Sequence, residues 1–178
     1  MTLRPSCAKA PATASDYANM IHAALTLHGI TGKAELLCQA EAWADIMDRH
    51  YWSEELAGYT LAADDTGDII VRPFTGIDDA TPNPNGVMLS NLSALWLLTG
   101  KQAWRERADR ILAGLTGEIA SNLFAHTSLL AGAMDLIAPA HIVIATPRGR
   151  DSAAEMLSVL RGLSLPGAVL QIVEDMRS

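Results

Sequence analysis

The stretch "MLSNLSALWLLTGKQAWRERA", residues 88–108, decides the fold because a similar stretch, "MIHAALTLHGITGKAELLCQA", occurs earlier at residues 20–40. The two align without a gap at an offset of 68 residues, and each contains the sequence Thr-Gly-Lys. Glycine suits the left-handed backbone position that ends a helix, and apolar residues at helical spacing precede and follow it. The repeat therefore predicts two helical hairpins stacked side by side.

This pattern predicts five helices, at about 16–31, 33–51, 84–98, 101–115 and 122–137. The first four form the two hairpins, and the fifth begins a third hairpin that has no returning helix. Asn83 followed by Pro84 is a typical helix start, and Ser15 is the expected cap of the first helix. The first helix has apolar residues spaced three and four apart, which predicts a buried stripe. The members of that stripe are Tyr17, Met20, Ile21, Ala24 and Leu27.

Two further segments break the helical pattern. In the long link 52–83, "GYTLA" (58–62) and "DIIVR" (68–72) flank a turn sequence, which predicts a two-stranded flap. After Pro139, two β-branched runs, 141–146 and 168–173, enclose a helical pattern, which predicts a β-α-β unit with parallel strands. We therefore divide the chain into three parts: an N-terminal tail (1–14), stacked hairpins (15–138) and the β-α-β segment (139–178).

Composition excludes several classes of protein. A net charge of −7 and a pI of about 5.1 disfavour nucleic acid as a partner. The longest apolar stretch is interrupted by Asp135 and Pro139, so no membrane span is expected. The first fifteen residues have no continuous apolar region, so no signal peptide is expected. Cys7 and Cys38 have neither metal-binding nor disulfide spacing, which favours a reduced cytoplasmic protein, and Cys38 is expected in the core.

The first, third and fifth helices occupy the same place in the repeat, so their N-termini should share one rim of the molecule. Small residues are frequent in these helices, as close packing of an inner layer requires. Three helix dipoles with their positive ends at this rim would favour an anionic or polyhydroxylic ligand. The polar residues expected there are Asp16, Tyr17, Asn19, Asp78, Asp79, Asn83, Asn85, Ser90, His126 and Thr127.

From these residues we select candidates for chemistry. Asp78 and Asp79 could supply the acid and base of a glycosidase, although a turn with capping aspartates is the favoured alternative. His126 could act as a general base, or could be a buried histidine with satisfied hydrogen bonds. No motif indicates a metal or a cofactor, and Trp52 is the tryptophan best placed to stack on a sugar. The candidate substrate-binding residues are Asp16, Tyr17, Tyr59, Arg72, Asn83 and Asn85.

The stretches "GYT", "DIIVRP", "DDATPNPNGV" and "PAHIVIAT" occur in an order that resembles the C-terminal part of the thioredoxin-domain-containing proteins of the spermatogenesis-associated type. The resemblance covers about residues 15–175, and those proteins are similar in turn to the six-hairpin glycosidases and N-acylglucosamine 2-epimerases. It implies a mainly α fold, a partial (α/α) toroid of stacked hairpins with a small two-stranded flap and a C-terminal β-α-β segment.

This sequence also departs from that family. The family's thioredoxin-like domain, its cysteine motif and the first hairpins of the toroid have no counterpart here, so the resemblance implies no redox activity. The family's Pro-Ser-Gly-Asn is replaced by residues 82–86, "PNPNG". Two functions remain open: a carbohydrate-active or carbohydrate-binding toroid of the hydrolase or epimerase type, and a non-catalytic helical module. The second would oligomerise through its open flanks, as a homodimer that covers apolar surface.

Overall fold

The computed structural model describes residues 11–67, 70–146 and 153–174, and most of these residues are helical. The helices are α1 (Ala14–Thr31), α2 (Ala34–His50), α3 (Pro84–Thr99), α4 (Gln102–Ser121), α5 (Thr127–Ile137) and α6 (Ala154–Arg161). The strands are β1 (Trp52–Ser53), β2 (Gly58–Tyr59), β3 (His141–Thr146) and β4 (Val169–Glu174). The expectation of a mainly α protein is confirmed.

Helices α1, α3 and α5 lie side by side and run in the same direction, with α3 in the middle. Asn91 Nδ2 in α3 donates to Ala18 O in α1 over 2.8 Å. Along the other side of α3, Gly86 approaches the start of α5, and Ser93 Oγ donates to Asp135 O near its end over 2.8 Å. Because early residues meet early residues and late meet late, the three N-termini lie at one end of this layer.

Helices α2 and α4 form a second layer, packed on α1 and α3. Ion pairs connect them to each other, with 3.1 Å between Arg107 Nε and Asp48 Oδ2. Each hairpin turns at a glycine in the left-handed conformation, Gly32 at φ 70° and Gly100 at φ 69°. The repeat thus predicts both hairpins correctly, since the Thr-Gly-Lys sequences form equivalent turns.

Strands β3 and β4 pair in parallel from His141↔Val169 to Thr146↔Glu174, with α6 between them in sequence. This confirms the expected parallel pairing. Strand β4 contacts α1 and α3. The turn before it contains Gly167 at φ 71°, where a side chain would also clash, because a Cβ atom would lie 2.1 Å from Asp135 Oδ1.

The predicted pairing of the flap is wrong. Residues 58–59 pair with 52–53 in an antiparallel sheet, with Trp52 opposite Tyr59. Residues 70–72 form no strand, and 68–69 lie outside the described residues. The predicted ladder does not form because the backbone N and O of Tyr59 are bonded to the Asn85 side chain, and Leu61 N donates to Pro73 O instead.

Three smaller expectations are also corrected. Thr13, rather than Ser15, caps α1: its hydroxyl accepts a hydrogen bond from Asp16 N, and its own N donates to Asp16 Oδ2 over 2.8 Å. Cys38 is exposed rather than in the core. Met20 and Leu27 are 50% and 47% exposed, because no described helix lies on that side of α1.

Candidate functional site

Asp78 in the link binds the start of α5. Its Oδ2 accepts hydrogen bonds from Ser128 N at 2.8 Å and Thr127 Oγ1 at 2.7 Å, and Ser128 Oγ donates to Oδ1. The same Oδ1 accepts a bond from Asn83 N at 2.8 Å. Burial by itself would raise the pKa of Asp78, but these hydrogen bonds outweigh it and lower the pKa to about 2. A carboxylate with so low a pKa is a weak general acid or base near neutral pH.

Asn83 and Asn85 fix the link to the start of α3. Asn83 Oδ1 caps the helix by accepting from Asn85 N at 2.9 Å, and its Nδ2 donates to Thr75 O at 2.8 Å. The Asn85 side chain forms two bonds with the backbone of Tyr59: Oδ1 accepts from N at 2.7 Å, and Nδ2 donates to O at 3.0 Å. Both amides are buried. Their hydrogen bonds serve the fold and leave little capacity for a ligand.

His126 lies beside this network in the turn before α5. It is 3% exposed, and its Nδ1 donates to Asn122 O over 2.7 Å, since a carbonyl oxygen can only accept. Its Nε2 lies 3.7 Å from Glu118 Oε2 and has no hydrogen-bond partner among the described residues. Asp79 is exposed, and within the described part of the chain its hydrogen bond comes from the backbone, with N donating to Thr81 O over 3.2 Å.

Asp16 and Tyr17 lie at the start of α1, the third helix of the rim. Hydrogen bonds from the backbone and hydroxyl of Thr13 lower the pKa of Asp16. The Tyr17 ring packs edge-on against Tyr51, with 5.6 Å between the centroids. The link also reaches this helix, since Ala14 N donates to Leu61 O over 3.0 Å.

A cluster that the sequence did not reveal lies next to Tyr17. His50 Nδ1 is 2.9 Å from Asp64 Oδ1 and 4.0 Å from Asp65 Oδ2. The imidazole lowers the pKa of Asp64 through its hydrogen bond. Imidazole and carboxylate groups are common metal ligands. Here, however, Nδ1 of His50 is already hydrogen-bonded to Asp64. Arg72 supports this pair, with NH1 donating to His50 O at 3.4 Å.

Tyr59 lies away from the rim, in the core between the link and the second layer. Its hydroxyl donates to Asp48 Oδ1 over 2.5 Å, and Arg107 binds the other oxygen of that carboxylate. Burial and the neighbouring Asp48 raise the pKa of Tyr59 well above its ordinary value. Trp52 is occupied as well, because the Arg107 guanidinium lies 4.0 Å from its ring centroid.

The structure therefore brings Asp78, Asn83, Asn85 and His126 together around the starts of α3 and α5. It places Asp16 and Tyr17 at the start of α1, Arg72 beside the His50 cluster, and Tyr59 in the core. Sequence patterns located the rim, but they gave no sign that the link would bond across it. Each of these bonds joins residues far apart in the chain, such as Asp78 with Ser128 and Tyr59 with Asn85.

A comparison with models of known protein families finds no match. The chain is similar to a curated relative, the uncharacterized protein B0495.5 of Caenorhabditis elegans, at 31% identity over 103 residues. The aligned stretch is 58% of this chain and 14% of that protein, so the match spans about a seventh of the relative. Within the described residues, no helix combines the length and the apolar character that crossing a membrane requires.

Proposed function

We propose that this chain is a non-catalytic helical module that assembles through the open face of α1. The observation that carries this proposal is an exposed apolar stripe on α1, formed by Met20, Ala23 and Leu27. Their spacing of three and four residues places them on one side of the helix. Burying the exposed half of Met20 or Leu27 would stabilise an assembly by about 1 kcal/mol for each side chain.

The internal repeat indicates what fits against the stripe. At the offset of 68 residues, Met20, Ala23 and Leu27 correspond to Met88, Asn91 and Leu95. Those α3 residues are all buried, and Asn91 donates to α1 at Ala18 O. The stripe on α1 therefore repeats the pattern by which α3 packs on α1. The stripe is thus suited to pack against another helix.

We assign that place to the α1 helix of a second copy, in a homodimer. A two-fold axis brings one patch against the same patch of the other subunit, and closed two-fold dimers are the commonest soluble oligomers. The arrangement of layers also supports a place in an (α/α) toroid wall, with α1, α3 and α5 as inner helices and α2 and α4 as outer ones. The free thiol of Cys38 suits the cytoplasm as its location.

The carbohydrate-active alternative has less support. Its strongest candidate acid, Asp78, is ionised and bonded to Thr127 and Ser128, and Asn83 and Asn85 are occupied by the backbone of the link. A thermal-shift series with sugars and sugar phosphates separates the two functions, because a ligand that binds the folded state raises its stability. We expect no shift, whereas a saturable rise in Tm that is lost in His126→Ala would favour the carbohydrate function.

Sedimentation velocity tests the assembly itself. We expect a dimer at micromolar concentration for the natural chain and a monomer for Leu27→Glu, because a charge in the stripe opposes its burial. The matched control is Met156→Glu, which places the same charge at an exposed position of α6 and should leave the dimer intact. A monomeric natural chain, or equal behaviour of the two variants, would refute the proposal.

A further inference from the structure

A cavity of about 360 Å³ lies between the first helical layer and the β-α-β segment, and we call it the C-terminal cavity. One side consists of residues from the C-terminal halves of α1 and α3, within 22–30 and 90–98. The other side is formed by residues 167–170, at the turn into β4, and by Leu157 of α6; Asp135 of α5 completes the wall. None of these residues belongs to the link, and Ser90, which was expected at the rim, lies here instead, bonded to Asp135 near the end of α5.

The size and most of the lining suit a small organic molecule. Ligand pockets in proteins have volumes of roughly 300–1,000 Å³ and mostly apolar walls with a few polar groups. Leu25, Ala94, Leu98 and Val169 are among the apolar residues of this cavity. An apolar body of a few carbon atoms would find complementary surface here.

Asn91 lies in the wall, but its amide is committed to the contact between α3 and α1. Its residue is 1% exposed, and its Nδ2 donates to Ala18 O over 2.8 Å, which fixes the orientation of the amide. Its Oδ1 is buried and accepts no hydrogen bond from the described residues. Because that atom is closed to solvent, a ligand in the cavity cannot reach it either, and Asn91 contributes only to the shape of the wall.

Asp135 is the acidic group of the wall. Its Oδ2 accepts a hydrogen bond from Ser90 Oγ over 2.7 Å, while Oδ1 lies against the Gly167 turn. No lysine, arginine or histidine among the described residues forms an ion pair with this carboxylate, although it is only partly exposed. A half-buried carboxylate without a cation favours a positively charged ligand.

The described wall holds two ionisable side chains, His22 and Asp135, and Asp135 supplies a negative charge and a hydrogen-bond acceptor. We propose that the C-terminal cavity binds a small organic ammonium compound, with its charged N–H groups on Asp135 and its apolar body against α1, α3 and β4. This site is independent of the proposed assembly, because the stripe on α1 and the cavity involve different residues.

The test is a titration of the 15N-labelled full chain, followed by NMR, with benzylamine and with benzyl alcohol as a neutral ligand of similar shape. We expect benzylamine to shift amide signals around Asn91, Asp135 and Gly167, and to bind at least about tenfold more tightly than the alcohol. A hydrogen bond to a charged group is worth about 1.5–3 kcal/mol, which corresponds to such a ratio. Asp135→Asn should reduce the affinity for the amine to that for the alcohol.

Asp45→Asn is the matched control, since it removes the same charge from an exposed position of α2 and should leave amine binding unchanged. Equal affinities of the natural chain for amine and alcohol would overturn the proposal, even if Asp135→Asn did not fold. Amine binding that shifts signals elsewhere would also overturn it, as would the lack of saturable binding up to the solubility limit.

Discussion

Helices α1 and α3 carry the same repeated pattern but occupy different environments. Helix α3 has a neighbour on each side, so Met88 and Leu95 are completely buried. Helix α1 has α3 on one side only, and its equivalent residues Met20 and Leu27 remain about half exposed. The comparison teaches that the repeat determines which residues can form a contact, whereas the number of neighbouring hairpins determines which contacts are made.

The largest expected difference between the two helices concerns Leu95 and Leu27. Leu95→Ala should lower the free energy of unfolding by about 2–5 kcal/mol, because it creates a cavity at a fully buried position. Leu27→Ala should cost the monomer less than about 1 kcal/mol, since its side chain is 47% exposed. Urea denaturation at high dilution measures both. Equal losses would show that the two positions have equivalent environments.

A second difference lies in the side of α3 that faces α5. Gly86 corresponds to Ala18 in the repeat, and a Cβ atom at Gly86 would lie 2.5 Å from the backbone carbon of Ser128. We expect Gly86→Ala to destabilise the protein by about 2–3 kcal/mol, because α5 would have to move. Gly117→Ala in α4 is the control, since an added Cβ there meets no atom within 4 Å. Thermal denaturation should find the control no less stable than the natural chain.

The stability that Asp78 gives to the start of α5 should depend on pH. Asp78 holds the start of α5 with a pKa of about 2, below its ordinary value of 3.8, so its stabilisation is present above about pH 4. It is lost as the pH falls towards 2 and, because solvent screens this partly exposed carboxylate, amounts to about 1 kcal/mol. Asp78→Asn should therefore be less stable than the natural chain at pH 7 and differ much less at pH 2. If the denaturation curves of Asp78→Asn and the natural chain are equally far apart at pH 7 and at pH 2, this assignment is wrong.

The smallest losses of stability are expected for substitutions at the two hairpin turns, and the two losses should be equal. Gly32 and Gly100 have φ angles of 70° and 69°, so Gly32→Ala and Gly100→Ala should each cost about 1 kcal/mol. Gly29→Ala, in the interior of α1, serves as a control without positive φ and should be neutral or stabilising. Losses that differ by more than about 1 kcal/mol between the two turns would indicate that the hairpins are not equivalent.

The sequence predicted local elements well and contacts between them poorly. Helix α3 begins at Pro84 as its cap required, and both hairpins turn at the expected glycines. The exposure of Met20 and Leu27 was not predictable, because helical periodicity identifies an apolar face without identifying its neighbour. The rim was located correctly at the helix starts, but the bonds of Asp78 to Ser128 and of Asn85 to Tyr59 depend on tertiary structure that no local pattern encodes.

Oxidative footprinting of methionine reports directly on whether the stripe on α1 is a contact surface. Met20 in the stripe and Met156 on α6 have similar exposure, at 50% and 59%. As the protein concentration rises from nanomolar to high micromolar, the oxidation rate of Met20 should fall several-fold while that of Met156 stays constant. Unchanged rates at Met20 over the whole range, or equal protection of both methionines, would contradict the account.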